Sequence, residues 1–307
     1  CKGCAECVQV CDELDYHALE MVKKDGATLP RYRNAFNFFR RIGPTPQAYI
    51  NERALADFML AEASALLYVG GAGSCMGCGE ATAIRMMLAA TGFICGPEKM
   101  AIVAATGCNS VYGSTYPYNP FLVPWTNSLF ENAPAVAMGI RDRWDQQGWH
   151  DKKLWVIGGD GAMYDIGFQS LSRMLASGKD INVLVLDTQV YSNTGGQAST
   201  ASFLGQDAKM AAIGGTIRGK REHRKELGQI CLMHPEVYVA QTTPAHINHF
   251  YKAVMEANEY PGPALINVFT TCQPEHGVAD DMAAHHANLA VESRAFPLFV
   301  YDPRKGK

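Results

Sequence analysis

Five short apolar runs set the rhythm of the chain from residue 100 onward: MAIVAA (100–105), KLWVIGG (153–159), INVLVLD (181–187), VYVAQT (237–242) and ALINVF (264–269). Each is apolar on both alternations, the pattern of a strand buried on its two faces. Between them apolar residues return at helical spacing: Phe168, Leu171 and Leu175, then Ile247, Phe250, Tyr251, Val254 and Met255. Strands alternating with helices predict an α/β fold, a parallel sheet flanked by helices. Ligands of such sheets sit beyond the carboxyl ends of the strands. Upstream the pattern breaks. Residues 1–24 are compact and led by cysteines, 23–30 (KKDGATLP) form a turn-rich break, and apolar spacing over 51–67 predicts one helix. The expected organisation is therefore a small module over 1–24, a connector over 25–73 and the α/β domain over 74–307.

Composition narrows the partners. With 48% apolar residues the chain can bury a sizeable core, and a net charge of −3 gives no basic surface for nucleic acid. The longest apolar window, 55–71, carries Asp57, Glu62 and a Gly pair, so it reads as a packed helix rather than a membrane span. Ten cysteines in a chain this long do not make a small secreted disulfide scaffold. Six of them stand at C-x-x-C or C-x-x-x-C spacing, which suits a metal or cluster in a reducing, cytoplasmic setting.

The first run, CKGCAECVQVC, places Cys1, Cys4, Cys7 and Cys11 at the bacterial ferredoxin spacing for [4Fe–4S] binding. Asp12 stands where proline is usual. A zinc ribbon would need a second C-x-x-C about 15–20 residues on, and the next lies at Cys75 and Cys78, too far for that template. A two-cluster module needs a second cysteine run, and 12–74 holds none. The expectation is that this run is the C-terminal part of a ferredoxin-like module whose other ligands lie upstream. Cys1, Cys4 and Cys7 would share one cluster and Cys11 would serve the other.

The run WVIGGDGAMYDIGFQSLSRML puts Gly159, Asp160 and Gly161 at the end of an apolar strand and before a helix. Glycines let the backbone approach a phosphate, and a helix N-terminus favours negative charge. Asp160 offers a hard oxygen for Mg²⁺. Thr188 and the carbonyl of Val190, past the next strand, are candidates to complete the metal's protein ligands, and Asn193 adds a polar contact. A lone Gly-Asp-Gly often marks only a turn; strand, Gly-Asp-Gly, helix, strand and polar loop in succession is more specific.

Together GDGAMYDIGFQSL, LDTQVYSNTGGQ, CMGCGE, ATGCNSVYG and NSLFE resemble pyruvate:ferredoxin oxidoreductase, in that family's order over about residues 74–275. Residues 25–73 match nothing in the pattern. The resemblance implies a thiamine-diphosphate-binding fold, its Gly-Asp-Gly half, with Asp160, Thr188 and Val190 holding Mg²⁺ and Gly159 and Gly161 close to the diphosphate. Asn193 and Glu80 are implied as contacts of cofactor or substrate; without the family, Glu80 is an acid stabilising a helix N-terminus. The resemblance further implies a [4Fe–4S] cluster beside the thiamine, on Cys75, Cys78, Cys108 and Cys272. Without it, Cys75 and Cys78 read as a dithiol pair and the other two as buried thiols. Cys95 and Cys231 are structural on either reading.

The implied reaction is oxidative decarboxylation of a 2-oxo acid, pyruvate by default, to acyl-coenzyme A and CO₂. Electrons leave singly through iron–sulfur clusters to ferredoxin or flavodoxin. A pyrimidine-side Glu would come from missing upstream domains or another subunit, and a homo-oligomer is expected. The alternatives are an electron-transfer subunit without thiamine chemistry, or a member acting on 2-oxoglutarate, another 2-oxo acid or oxalate. The run from Arg218 to Arg224 reads as a solvated face, with an anionic partner as the other reading. His285 and His286 read as surface residues. Residues 115–120 and Trp125 line a channel or pack in the core.

Overall fold

Alternation decides where each strand side chain goes. A computed structural model of the chain describes residues 11–12, 15–20, 22, 25–39, 41–51, 57, 67–68, 74–113, 120–211 and 219–306. All five apolar runs are strands in it: β1 Met100–Ala105, β3 Lys153–Gly159, β4 Asn182–Asp187, β7 Tyr238–Thr242 and β8 Ala264–Phe269. With β2 Trp125–Ser128 and β9 Phe299–Tyr301 they form one sheet in the order β2-β1-β3-β4-β8-β7-β9. Every pairing is parallel except β7 with β9. A separate two-stranded hairpin joins β5 Val190–Tyr191 to β6 Gln197–Ala198.

Odd and even strand positions feed two different cores. Ile102, Trp155, Ile157, Leu184, Leu186 and Ile266 pack on one face, under helices α2 (Gly79–Cys95) and α7 (Ile247–Glu259). Val103, Leu154, Val156, Val183, Val185 and Leu265 pack on the other, under α4 (Ala133–Gln146) and α5 (Phe168–Leu175). Both faces are covered, as a parallel sheet requires. The helical spacing of Phe168, Leu171 and Leu175 and of the 247–255 residues is realised in α5 and α7.

Two strands escaped the pattern. The β2 sequence WTNS is polar and half-exposed at one edge of the sheet, and β9 has only three residues at the other. Trp125 belongs to β2 and packs on Phe121 at 5.8 Å between ring centroids, which places it in the core. Most of the helix expected over 51–67, and most of 115–120, lie outside the described residues.

The chain divides into two compact units, Cys1–Pro44 and Thr45–Lys307, with the division inside the expected connector. In the first, α1 (Thr28–Phe39) starts where Asp25 accepts hydrogen bonds from the Ala27 and Thr28 amides at 3.0 and 2.6 Å. Cys11 accepts one from the Ala18 amide at 3.2 Å. Cys1, Cys4 and Cys7 lie outside the described residues. Among the described residues no helix is long and apolar enough to cross a membrane.

Candidate functional site

The winding of the sheet reverses between β1 and β3. The chain passes from β1 to β2 on one side, and from β3 to β4 on the other. The crevice at the carboxyl ends of such a pair is the usual ligand site of open parallel sheets. Here it is a cavity of ≈ 250 Å³ lined from three strand ends: Thr106, Gly107, Cys108 and Asn109 after β1; Gly159, Asp160, Gly161 and Ala162 after β3; Thr188 and residues 190–194 after β4. Glu80, Phe130 and Ile166 complete the wall. Asp160, Thr188, Val190, Asn193, Glu80 and Cys108 therefore face one space, although 113 positions separate the first and last in sequence (193 − 80).

Three oxygens converge at its floor. Thr188 Oγ1 lies 3.3 Å from Asp160 Oδ1 and 3.0 Å from the Val190 carbonyl. The turn that aims them is held in place. Gln189 takes a left-handed φ of 60°, costly for a residue with a Cβ. Its amide donates to Asp187 Oδ1 at 3.0 Å, and its carbonyl accepts from Ser202 and from Gln206 Nε2. Asp160 is buried, and its Oδ2 accepts from Ser199; no ion pair among the described residues reaches it. Burial, and then the charge of Asp187 behind it, push its carboxyl well above the usual carboxylate range. A buried carboxylate with no cationic partner fits a site made for one. The donor set of one carboxylate, one hydroxyl and one carbonyl is the hard-oxygen chemistry of Mg²⁺. Gly161 keeps the wall thin: a Cβ there would meet the Tyr191 ring at 2.8 Å. After Asp160 the helix begins with a π-helical turn, Gly161–Ile166, before α5.

The cysteines come from three places: before α2, after β1 and after β8. Cys78 caps α2, and the Gly79 amide donates to the Thr271 carbonyl at 3.2 Å. A Cβ on Gly79 would lie 2.6 Å from the Thr271 nitrogen, so glycine lets the two cysteine loops touch. Gln273, next to Cys272, donates to the Gly77 carbonyl. Cys108 opens α3 (Cys108–Gly113), and its thiol is pushed up by burial, with the charges of Glu80, Cys272, Cys78 and Cys75 adding to the effect. Burial likewise raises Cys78 to about 12. All four thiols are free of disulfides. Among the described residues no three His, Cys, Asp or Glu side chains are close enough to hold a single metal ion. Asn109, Thr270 and Gln273 each keep a buried side-chain oxygen with no hydrogen-bond partner, orphans that a bound group would explain.

Glu80 is buried, accepts from the Tyr112 hydroxyl at 3.1 Å and is raised by burial to about 7. It faces the cavity from the first turn of α2, where an acid also suits the helix N-terminus. Asn193 is exposed at the mouth.

Several participants were invisible in the sequence. Ser192 Oγ sits 2.6 Å from Thr188 Oγ1; burial pushes the Cys272 thiol up, and a hydrogen bond from Ser192 works against that. His276, four residues after Cys272, joins the two halves of the site. Its Nε2–H donates to the Thr188 carbonyl at 2.8 Å, and its Nδ1 accepts from the Cys272 amide at 3.3 Å.

Two expectations need correction. The charged run ending at Arg224 is a solvated face only in part: Arg218 lies outside the described residues and Arg221, Glu222 and His223 are exposed, but Lys220 Nζ donates to the Ser202 carbonyl at 2.7 Å and the Arg224 side chain is 6% exposed, 3.0 Å from Asp187. Asp187 ends β4, one residue before Thr188, and needs that cation because it is fully buried. Arg224→Met would leave Asp187 uncompensated; unfolding in urea is expected to show a loss of about 3–5 kcal/mol. His286 is not a surface residue either. It is half-buried, shares a hydrogen bond with Thr271 Oγ1 at 3.2 Å and packs on Phe269, while His285 is exposed.

Known proteins share this architecture. Residues 105–268 match the thiamine pyrophosphate enzyme family, C-terminal TPP binding domain, over more than half of the chain. A probable pyruvate-flavodoxin oxidoreductase of Escherichia coli (strain K12) is 31% identical over 99% of this chain and 31% of its own length. Pyruvate synthase subunit PorB of Pyrococcus furiosus is 34% identical over 75% of this chain and 70% of that subunit. A 2-oxoglutarate:ferredoxin oxidoreductase from Magnetococcus marinus, solved with 2-oxoglutarate, coenzyme A and succinyl-CoA bound, has the same fold: its TM-score is 0.56 at 24% identity, over 66% of this chain and 64% of that one. The chain thus spans less than a third of the length of the first curated relatives it matches. By its domain match and its likeness to a subunit of similar length, the chain belongs to the 2-oxoacid:ferredoxin oxidoreductase family and carries that family's thiamine pyrophosphate-binding domain.

Proposed function

We propose that this chain supplies the diphosphate-binding half of a thiamine-dependent active site, with a [4Fe–4S] cluster beside it. The whole enzyme would convert a 2-oxo acid, pyruvate by default, and coenzyme A to acyl-coenzyme A and CO₂, reducing ferredoxin or flavodoxin. One observation carries the reading: Asp160 and Cys108, from different strand ends, line the same cavity. A non-oxidative thiamine decarboxylase has no use for a cysteine in that wall.

The residues divide the work. Asp160, Thr188 Oγ1 and the Val190 carbonyl would hold Mg²⁺, and Gly159 and Gly161 admit the diphosphate between β3 and the β4 loop. Cys75, Cys78, Cys108 and Cys272 would hold the cluster. Thiamine diphosphate, when bound, supplies the electron sink for decarboxylation, and the cluster supplies a one-electron acceptor. Glu80, buried and close to neutral in its proton affinity, can hold or give up a proton at Oε2, next to the Tyr112 hydroxyl. Phe130 and Ile166 give the cavity an apolar wall that limits water. Asn193 at the mouth offers an amide to substrate or cofactor. The carboxylate that thiamine enzymes place on the pyrimidine would come from the remaining part of the enzyme or from a partner subunit. Cys1, Cys4, Cys7 and Cys11 would extend the electron path outward as ferredoxin-like [4Fe–4S] ligands, and a homo-oligomer in the cytoplasm fits the reading.

The test is a panel of 2-oxo acids given to the complete enzyme with coenzyme A, following reduction of a low-potential acceptor. Pyruvate is expected to be turned over. Acceptor reduction by none of the 2-oxo acids, with clusters present, would leave only an electron-transfer role.

A further inference from the structure

We propose that His276 is a positioning residue that fixes the metal loop and the cluster loop to one another through its two ring nitrogens. The inference rests on the reading of Thr188 as a metal ligand and Cys272 as a cluster ligand. His276 belongs to neither set. It stands in α8 (Gln273–His276), the single helical turn that Cys272 begins. Its amide returns to the Cys272 carbonyl at 2.8 Å, so the ring is anchored on the cluster side by the backbone. From there Nε2–H reaches the Thr188 carbonyl at 2.8 Å, while Nδ1 receives the Cys272 amide at 3.3 Å. With both nitrogens engaged, the tautomer is set and the ring has one orientation. Phe269 stacks on it, 6.2 Å between centroids at 14° between planes, and the His286 ring closes its other approach at 5.0 Å.

The bridge has two separable ends. The Thr188 end holds the backbone that aims Oγ1 and, two residues on, the Val190 carbonyl. The Cys272 end engages an amide that would otherwise be free to point at sulfur. An N–H aimed at a cluster sulfur stabilises the more negative, reduced cluster and so raises its potential. Loss of the Thr188 end is therefore read in metal-dependent cofactor affinity, and loss of the Cys272 end in cluster potential.

The complete enzyme tests this with three variants. His276→Ala removes both ends. It is expected to weaken Mg²⁺-dependent thiamine diphosphate binding roughly 10–100-fold. It should also raise the midpoint potential of the cluster next to the cofactor, changing its reduced-to-oxidised ratio about tenfold, or ~59 mV for one electron. His276→Gln places an amide N–H where Nε2 was; affinity should recover while the potential stays shifted. His276→Asn places a carbonyl oxygen where Nδ1 was; the potential should recover while affinity stays low. Calorimetry reads the first quantity, and redox titration followed by electron paramagnetic resonance reads the second. A His276→Ala enzyme with both values within about twofold of wild type overturns the proposal, as do Gln and Asn variants that behave alike. If the wild-type enzyme shows no metal-dependent thiamine binding, or no cluster near the cofactor, the functional reading fails first and the bridge falls with it.

Discussion

Asp160→Asn is expected to abolish metal-dependent thiamine diphosphate binding in the complete enzyme, weakening it by at least ~100-fold, beyond the range typical of residues that only orient a ligand. The argument is one of charge. Of the three converging oxygens only Asp160 is anionic; Thr188 Oγ1 and the Val190 carbonyl are neutral. Asparagine keeps the size and one oxygen, so the loop can keep its shape, but a divalent ion loses its only protein counter-charge. The same change should not unfold the chain. It removes a buried carboxyl whose ionised form burial and Asp187 both disfavour and no cation pairs among the described residues, so the empty protein should melt no earlier than wild type. Calorimetric titration with Mg²⁺ and the cofactor, beside a thermal melt of the cofactor-free protein, separates the two effects. Near-wild-type affinity in the variant would remove Asp160 from the metal site.

Cys108→Ser is expected to cost the chain one whole cluster, about four irons by chemical analysis, together with that cluster's paramagnetic signal. Serine is a hard oxygen ligand where iron–sulfur chemistry wants a soft thiolate. Burial disfavours a bare Cys108 thiolate, so without bound metal this sulfur stays a protonated thiol. Thiamine binding should change by less than about tenfold, because the oxygen ligands lie on β3 and β4 while Cys108 follows β1. Cys95→Ser is the control. Cys95 is the last residue of α2, away from the cavity, and its loss should leave the iron content unchanged. Full iron in the Cys108 variant would refute the ligand assignment.

The strands were legible because burial on two faces leaves no polar alternation to mislead; β1, β3, β4, β7 and β8 were each visible as apolar runs. The edge strand β2 was not, since half of its surface is exposed and its residues are Trp, Thr, Asn and Ser. In the site, Gly159-Asp160-Gly161 and the loop from Thr188 to Asn193 were legible because their chemistry is carried by neighbours in sequence. His276 was not. Each of its partners is a backbone group, one of them 88 positions away, and a backbone group leaves no signature in residue type. Arg224 was misjudged for a related reason: its charge suggested solvent, and the buried Asp187 that claims it lies 37 positions earlier.

The pairing of β4 with β8 has a last consequence. Asp187 stands opposite Phe269, and the Thr270 amide continues the ladder to the Asp187 carbonyl at 2.9 Å. Thr188 and Cys272 therefore follow neighbouring strands, whose usual spacing is ~4.8 Å, with Cys272 two residues beyond the position opposite Thr188. Tunnelling rates fall steeply with separation, and the gap between the proposed metal loop and the proposed cluster loop would be ruled by this main-chain pairing rather than by side-chain drift. On the proposed reading, a mouth reshaped for a larger or smaller acid would leave the electron's first jump no longer than before.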